Sequence, residues 1–228
     1  VLELGGSNAF IILEDANLDK AVAIAVNARM QNAGQSCIAA KRFLVHENIV
    51  EEFVAKLKVA IQNLKTGNPF DKEMQIGSLA RVDLAEELEA QVQKSIQMGA
   101  DLIVGGTRKE AFYEPTILAN VTTEMPVFNE ETFGPVASII TFKTLEEAIE
   151  LSNQSEFGLG VSIFTQDIDF IKTKISAFNE GAVFINEMVK SDSRLPFGGI
   201  KKSGYGRELA EDGIKEFVNV KTIVINTF

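Results

Sequence analysis

"AFIIL" at 9–13, "DANLDKAVAIAVNARMQN" at 15–32 and "RFLVH" at 42–46 follow one another with a polar, cysteine-bearing loop before the last, and their order decides the fold. The first and third runs are short and rich in branched or aromatic side chains, as strands buried on both faces are. The middle run is too long for a strand. Its Ala, Val and Ile spacing fits a buried helix, with Asp and Asn at its front and Gly34 expected to stop it. Strand, helix, strand in that order is a parallel unit.

The same alternation continues outward. "ENIVEEFVAKLKVAIQNLK" at 47–65 predicts an amphipathic helix closed by the turn "TGNPFD", and "RVDLAEELEAQVQKSIQM" at 81–98 predicts another that stops at Gly99. Further strands are expected at "DLIVGG", "PTILANV", "VASIITF", "VSIFT", "GAVFIN" and "TIVINT", with helices near 145–152, 168–178 and 207–216. The opening "VLELGG" reads as a strand entering a glycine turn. Apolar runs alternating with helices imply a mainly parallel sheet covered on both faces, so the expected class is α/β in three layers with right-handed crossovers. No repeat or linker divides residues 1–228, which read as one domain; the last strand, about 220–227, is expected to serve a neighbouring subunit.

Composition removes several functions. A net charge of −10 disfavours nucleic acid, because binding to a phosphate backbone is driven by basic side chains. No stretch approaches the roughly 18 apolar residues of a membrane span, and no charged-then-apolar leader opens the chain, so the expected location is cytoplasmic. One cysteine and one histidine cannot make a zinc cluster or an internal disulfide, and no metal site is expected.

That single cysteine, Cys37, lies in "NAGQSCIAAKR" at 32–42. A lone thiol can be a small buried hydrophobe. It can also be a nucleophile: Gly34, Gln35 and Ser36 make a polar approach whose backbone N–H groups could stabilise a thiolate. Composition leaves both open. His46 has no partner for metal or acid–base work and reads as a surface residue.

Four segments together narrow the choice. "LELGG" at 2–6, "NAGQSC" at 32–37, "EETFGPV" at 130–136 and "PFGGIKKSGYGRE" at 196–208 resemble the aldehyde dehydrogenase superfamily in order and spacing. The 34 positions from Glu3 to Cys37 fit as well. Singly each is a common turn or strand entry; in register they cover nearly the whole chain.

The resemblance implies a catalytic domain that oxidises an aldehyde to a carboxylic acid with NAD or NADP. Cys37 would attack the carbonyl, its own N–H serving the oxyanion, and Glu3 would be general base for thioester hydrolysis. Glu131 would contact the nucleotide ribose and Phe133 would lie beside the nicotinamide. Asn186 would support the active-site loops, although an Asn closing "GAVFIN" is also a common turn former. Phe197 would line the substrate tunnel. Most of the dinucleotide-binding domain, with a second oxyanion donor, is expected before Val1, so these residues alone should be poor dehydrogenases.

Within the family, "RMQNAGQSC", "KSDSR" and "FGGIKKSGYGREL" look most like succinate-semialdehyde dehydrogenases. A substrate carboxylate needs a cation, and Arg194 or Arg29 could supply it. Arg194 could equally pair with a surface acid. The pattern is broken at Gln31, six positions before Cys37, where several such enzymes carry arginine. A homodimer or homotetramer is expected. Two other classes stay open: a cofactor-independent cysteine esterase or thioesterase, and a non-catalytic assembly piece.

Overall fold

The computed structural model describes residues 1–228. One sheet carries β1 (Asn8–Ile12), β2 (Ala40–His46), β3 (Asp101–Val104), β4 (Thr116–Ala119), β5 (Val136–Phe142), β6 (Gly160–Phe164) and β7 (Ala182–Ile185). Their spatial order is β7-β6-β1-β2-β5-β4-β3. Every pair is parallel except β3 with β4. The longer helices are α1 (Leu18–Met30), α2 (Val50–Gln62), α3 (Val82–Gln97) and α4 (Leu145–Asn153).

Successive strand residues point to opposite faces, and two neighbours on β2 show both faces covered. Phe43 packs on Phe53 of α2 with ring centroids 6.4 Å apart. Arg42 turns the other way and donates to the carbonyls of Leu151 and Ser152 in α4, at 2.6 and 3.1 Å. Three layers follow. At the centre of the sheet Phe10 stacks on Phe164 at 4.4 Å and meets Phe43 at 5.1 Å; such pairs add about 0.5–1.5 kcal/mol beyond area burial.

Several expectations change. Helix α1 ends at Met30, before Gly34, because Asn32 and Ala33 take left-handed backbone (φ 52° and 53°) and Gly34 follows at φ 75°. "VLELGG" gives only a two-residue strand, Leu2–Glu3, paired antiparallel with Gly204–Tyr205. The helix expected at 168–178 is two short turns, Ile168–Lys172 and Ile175–Ala177, and that at 207–216 shrinks to Ala210–Lys215. "TIVINT" is no strand within this chain: residues 221–228 are exposed and pair with none of its strands, so their alternating pattern has nothing here to bury it. No helix is long and apolar enough to cross a membrane.

Candidate active site

The four segments singled out by sequence meet at the amino ends of β1, β2 and β6. Asn8, the first residue of β1, donates from Nδ2 to the Ile38 carbonyl and accepts at Oδ1 from Gly160 N–H of β6 (3.0 and 3.1 Å). That stitches the cysteine loop to the sheet. The Gly5-Gly6 turn presses against the same loop: a Cβ on Gly6 would sit 2.5 Å from the Cys37 carbonyl oxygen. The "PFGGIKKSGYGRE" segment closes over Leu2 and Glu3 through the Gly204–Tyr205 pairing and a Leu4 N–H to Ser203 carbonyl bond of 3.0 Å. Gly6→Ala is therefore expected to cost about 1–3 kcal/mol, the usual range for overpacking. Urea unfolding reads that cost as a lower midpoint at unchanged slope.

Cys37 is half-buried. It packs on a small apolar cluster of Leu159, Val189 and Phe197. Its amide N–H donates to no group of the chain, which leaves it free to meet an oxyanion. Burial pushes the thiol above its ordinary value, the charges of Glu3 and Glu131 push the same way, and Lys41 is the cation that opposes them.

Glu3 is also partly buried, and both carboxyl oxygens lack a hydrogen-bond partner. Desolvation raises it above the ordinary carboxylate value and the Glu208 charge adds to that; Arg207 and the Gly199 amide pull it back. The Gly199 amide thus favours the charged form without making a hydrogen bond of normal geometry. A cavity of about 720 Å³ opens on Glu3, lined also by Ser193, Glu208, Leu209 and Phe217. Cys37 is not in its wall, so the link between acid and thiol rests on the shared loop packing and on their mutual charge effect.

Glu131 Oε1 accepts from Gly6 N–H at 3.0 Å and pairs with Lys41 Nζ at 3.1 Å. Oε2 accepts from no group of the chain, so one oxygen is anchored and the other is available to a hydroxyl. Phe133 is 39% exposed, with Lys41 Nζ 5.9 Å from its ring centroid. A free carboxylate oxygen beside an open aromatic face suits a ribose and a flat ring.

Other candidates lie elsewhere or act differently. Arg29 is fully buried and donates to the carbonyls of Ala40, Gly34 and Thr132, so it clamps the backbone and is no cation at a tunnel mouth. Arg194, with a side chain 84% exposed, makes a two-pronged pair with Asp192. Gln31 faces a cavity shared with Asn27, Leu64 and Gln75, on the α1 side of the loop. Phe197 is buried and bridges antiparallel to Glu208. Asn186 (φ 56°) sits at the carboxyl end of β7, bonded through both amide ends to Thr165; it lies at the opposite end of the sheet from Cys37 and does not touch its loop. His46 is partly exposed, bonded to the Lys143 carbonyl and edge-on to Phe142. Sequence reading missed Lys41, which looks like an ordinary strand-entry charge.

A half-buried thiol, an unpaired carboxylate and an anchored acid with one free oxygen thus lie together at one end of a mainly parallel sheet in a three-layer α/β fold. The chain belongs to the aldehyde dehydrogenase family, whose model matches residues 1–223. It is 49% identical over 226 residues to the succinate semialdehyde dehydrogenase [NAD(P)+] Sad of Escherichia coli K12, covering 98% of this chain and 49% of that one. It is 51% identical over 228 residues to a probable succinate-semialdehyde dehydrogenase [NADP(+)] of a Synechocystis species, covering 99% and 50%. Among solved structures, glyceraldehyde-3-phosphate dehydrogenase GapN of Methanocaldococcus jannaschii, complexed with NADP, superposes with a TM-score of 0.95 at 39% identity, covering 99% of this chain and 49% of that one. The chain thus spans about half the length of the relatives it matches.

Proposed function

We propose that these residues form the catalytic half of an NAD(P)-dependent aldehyde dehydrogenase acting on succinate semialdehyde. The observation that carries the reading is the Gly5-Gly6 turn, which presses on the Cys37 carbonyl and donates to Glu131, with the Glu3 and Glu131 charges both acting on Cys37. A cofactor-free esterase or an assembly piece would not require Glu131 to keep one oxygen free.

The chemistry follows from the side chains. Cys37 Sγ, as thiolate, bonds to the aldehyde carbon, and the former carbonyl oxygen takes the charge in reach of the Cys37 N–H. A bound nicotinamide dinucleotide would supply the hydride acceptor, and Glu131 and Phe133 are the residues of this chain that would hold it. Loss of the hydride leaves a thioester on Cys37. Glu3 takes a proton from water, which adds to that thioester; the carbon–sulfur bond breaks, releasing carboxylic acid and the Cys37 thiolate.

The reading is tested on the full-length protein by following reduced nucleotide formed from succinate semialdehyde; no reduction with either NAD or NADP overturns it. The names of the similar enzymes support the substrate, and Arg194 is the proposed partner of its far carboxylate, released from Asp192 on binding. Arg194→Ala is expected to raise KM for succinate semialdehyde by about tenfold or more, the scale of a lost charged hydrogen bond, while leaving butanal unchanged. Equal losses on the two aldehydes would remove Arg194 from the carboxylate site. The exposed segment near 220–227 is proposed to pair with a second copy in a homodimer or homotetramer, and the location is proposed to be the cytoplasm.

A further inference from the structure

The structure places an unassigned buried cation at the junction of the site. Lys41 has a side chain with no exposure. Its Nζ donates to the carbonyls of Ser36 and Cys37 at 3.0 and 3.3 Å and pairs with Glu131 Oε1 at 3.1 Å. The backbone is bent to put it there: Asn8 pairs with Ala40 and Ala9 with Arg42, so Lys41 is the extra residue at a slip in the β1–β2 ladder. Irregularities of this kind re-aim a side chain. Burying an ammonium is costly unless charged and polar partners compensate it, and all three partners belong to the nucleophile loop or the nucleotide-binding acid.

We propose that Lys41 is a positioning residue that ties the Cys37 loop to Glu131 and supplies the positive charge under which the thiol ionises; this rests on the reading of Cys37 as nucleophile. Two negative groups, Glu3 and Glu131, face Cys37, and Lys41 opposes both. Around Lys41 itself stand Arg29 from α1, Glu131 and Cys37. Burial and the Arg29 charge push Lys41 down to about 8, while Glu131 and Cys37 hold it up. At neutral pH it is therefore the cation, and as pH rises through 8 that support is withdrawn.

The test uses the full-length protein and the rate of iodoacetamide alkylation at the Cys37 peptide, followed by mass spectrometry. At pH 7, Lys41→Met is expected to slow alkylation by about tenfold or more, because an opposite charge at close range shifts a pKa by about 1–3 units. The wild-type profile is expected to rise with pH and then flatten near 8, as the loss of the ammonium proton competes with thiolate formation. Alkylation of a folded Lys41→Met protein at the wild-type rate would overturn the proposal. So would a wild-type rate that keeps climbing tenfold per pH unit through pH 9, a result that decides the matter even if the variant does not fold. Neither measurement needs aldehyde or nucleotide, so failure of the dehydrogenase reading is scored separately, by absent turnover.

Discussion

Cys37→Ala is expected to remove aldehyde oxidation from the full-length protein, lowering turnover by about 10⁴-fold or more, the scale seen when a covalent nucleophile is deleted. No other side chain can take over. Cys37 is the only thiol among the 228 residues. Lys41 is fully buried and engaged with two carbonyls and Glu131. Serine at the same place would not substitute, since its hydroxyl needs a strong adjacent base and Glu3 would have to supply one. The fold should be indifferent, because alanine keeps the small apolar contact with Leu159, Val189 and Phe197. Unfolding by urea should show wild-type midpoint and slope, which separates lost chemistry from lost structure. Wild-type activity should also climb with pH on the side the thiol controls. Burial and neighbouring carboxylates favour the neutral thiol, so the thiolate is a minority at neutral pH and grows as pH rises. Retention of a tenth or more of wild-type turnover by the alanine variant would show that Cys37 is not the nucleophile.

The same residues show which parts of the molecule can be read from sequence. Strands β1, β2 and β5 are legible because burial on both faces leaves near-continuous apolar runs. The cysteine loop is legible as a loop, but its shape is not. Ala33 is left-handed although a non-glycine residue there is strained, and the turn around it is braced by Asn32–Gln35 bonds and by Arg29, whose guanidinium reaches Gly34 next door and Thr132 a hundred positions away. Arg29, in the last turn of α1, has the local look of an ordinary solvated helix-end cation, and only the tertiary fold buries it. Lys41 fails for a related reason. Its meaning comes from Glu131, ninety positions on, and from a ladder slip that no alternation of apolar and polar residues announces. Leu2–Glu3 is placed by Gly204–Tyr205 at the other end of the chain. Where a role depends on partners far apart in sequence, only the family resemblance points to it: Glu3 and Glu131 lie within the four resembling segments and Lys41 lies outside them.

Glu3→Gln should separate the two halves of the reaction. Glutamine keeps the size and much of the polarity of the side chain but cannot accept a proton, so bond formation at Cys37 and the first oxidation can proceed while hydrolysis stalls. Steady-state turnover is expected to fall by about 10²–10⁴-fold, the range for loss of a general base. The first turnover should survive as a burst of reduced nucleotide approaching one per site, with an acyl group trapped on the Cys37 peptide. The wild-type pH profile carries the same assignment. Desolvation and the Glu208 charge raise Glu3 above the usual carboxylate range, so it takes up a proton, and hydrolysis weakens, at a higher pH than an exposed glutamate would allow. Glu208→Gln, by removing the second cause, should move that acid limb toward lower pH while leaving the limb set by Cys37 in place. A Glu3→Gln enzyme that slows the burst as much as the steady state would place this carboxylate in activation of the thiol. One that turns over at the wild-type rate would remove it from the chemistry, and the water would then need another base, which among the carboxylates acting on Cys37 leaves only Glu131, whose anchored oxygen and ion pair with Lys41 make it a poor one.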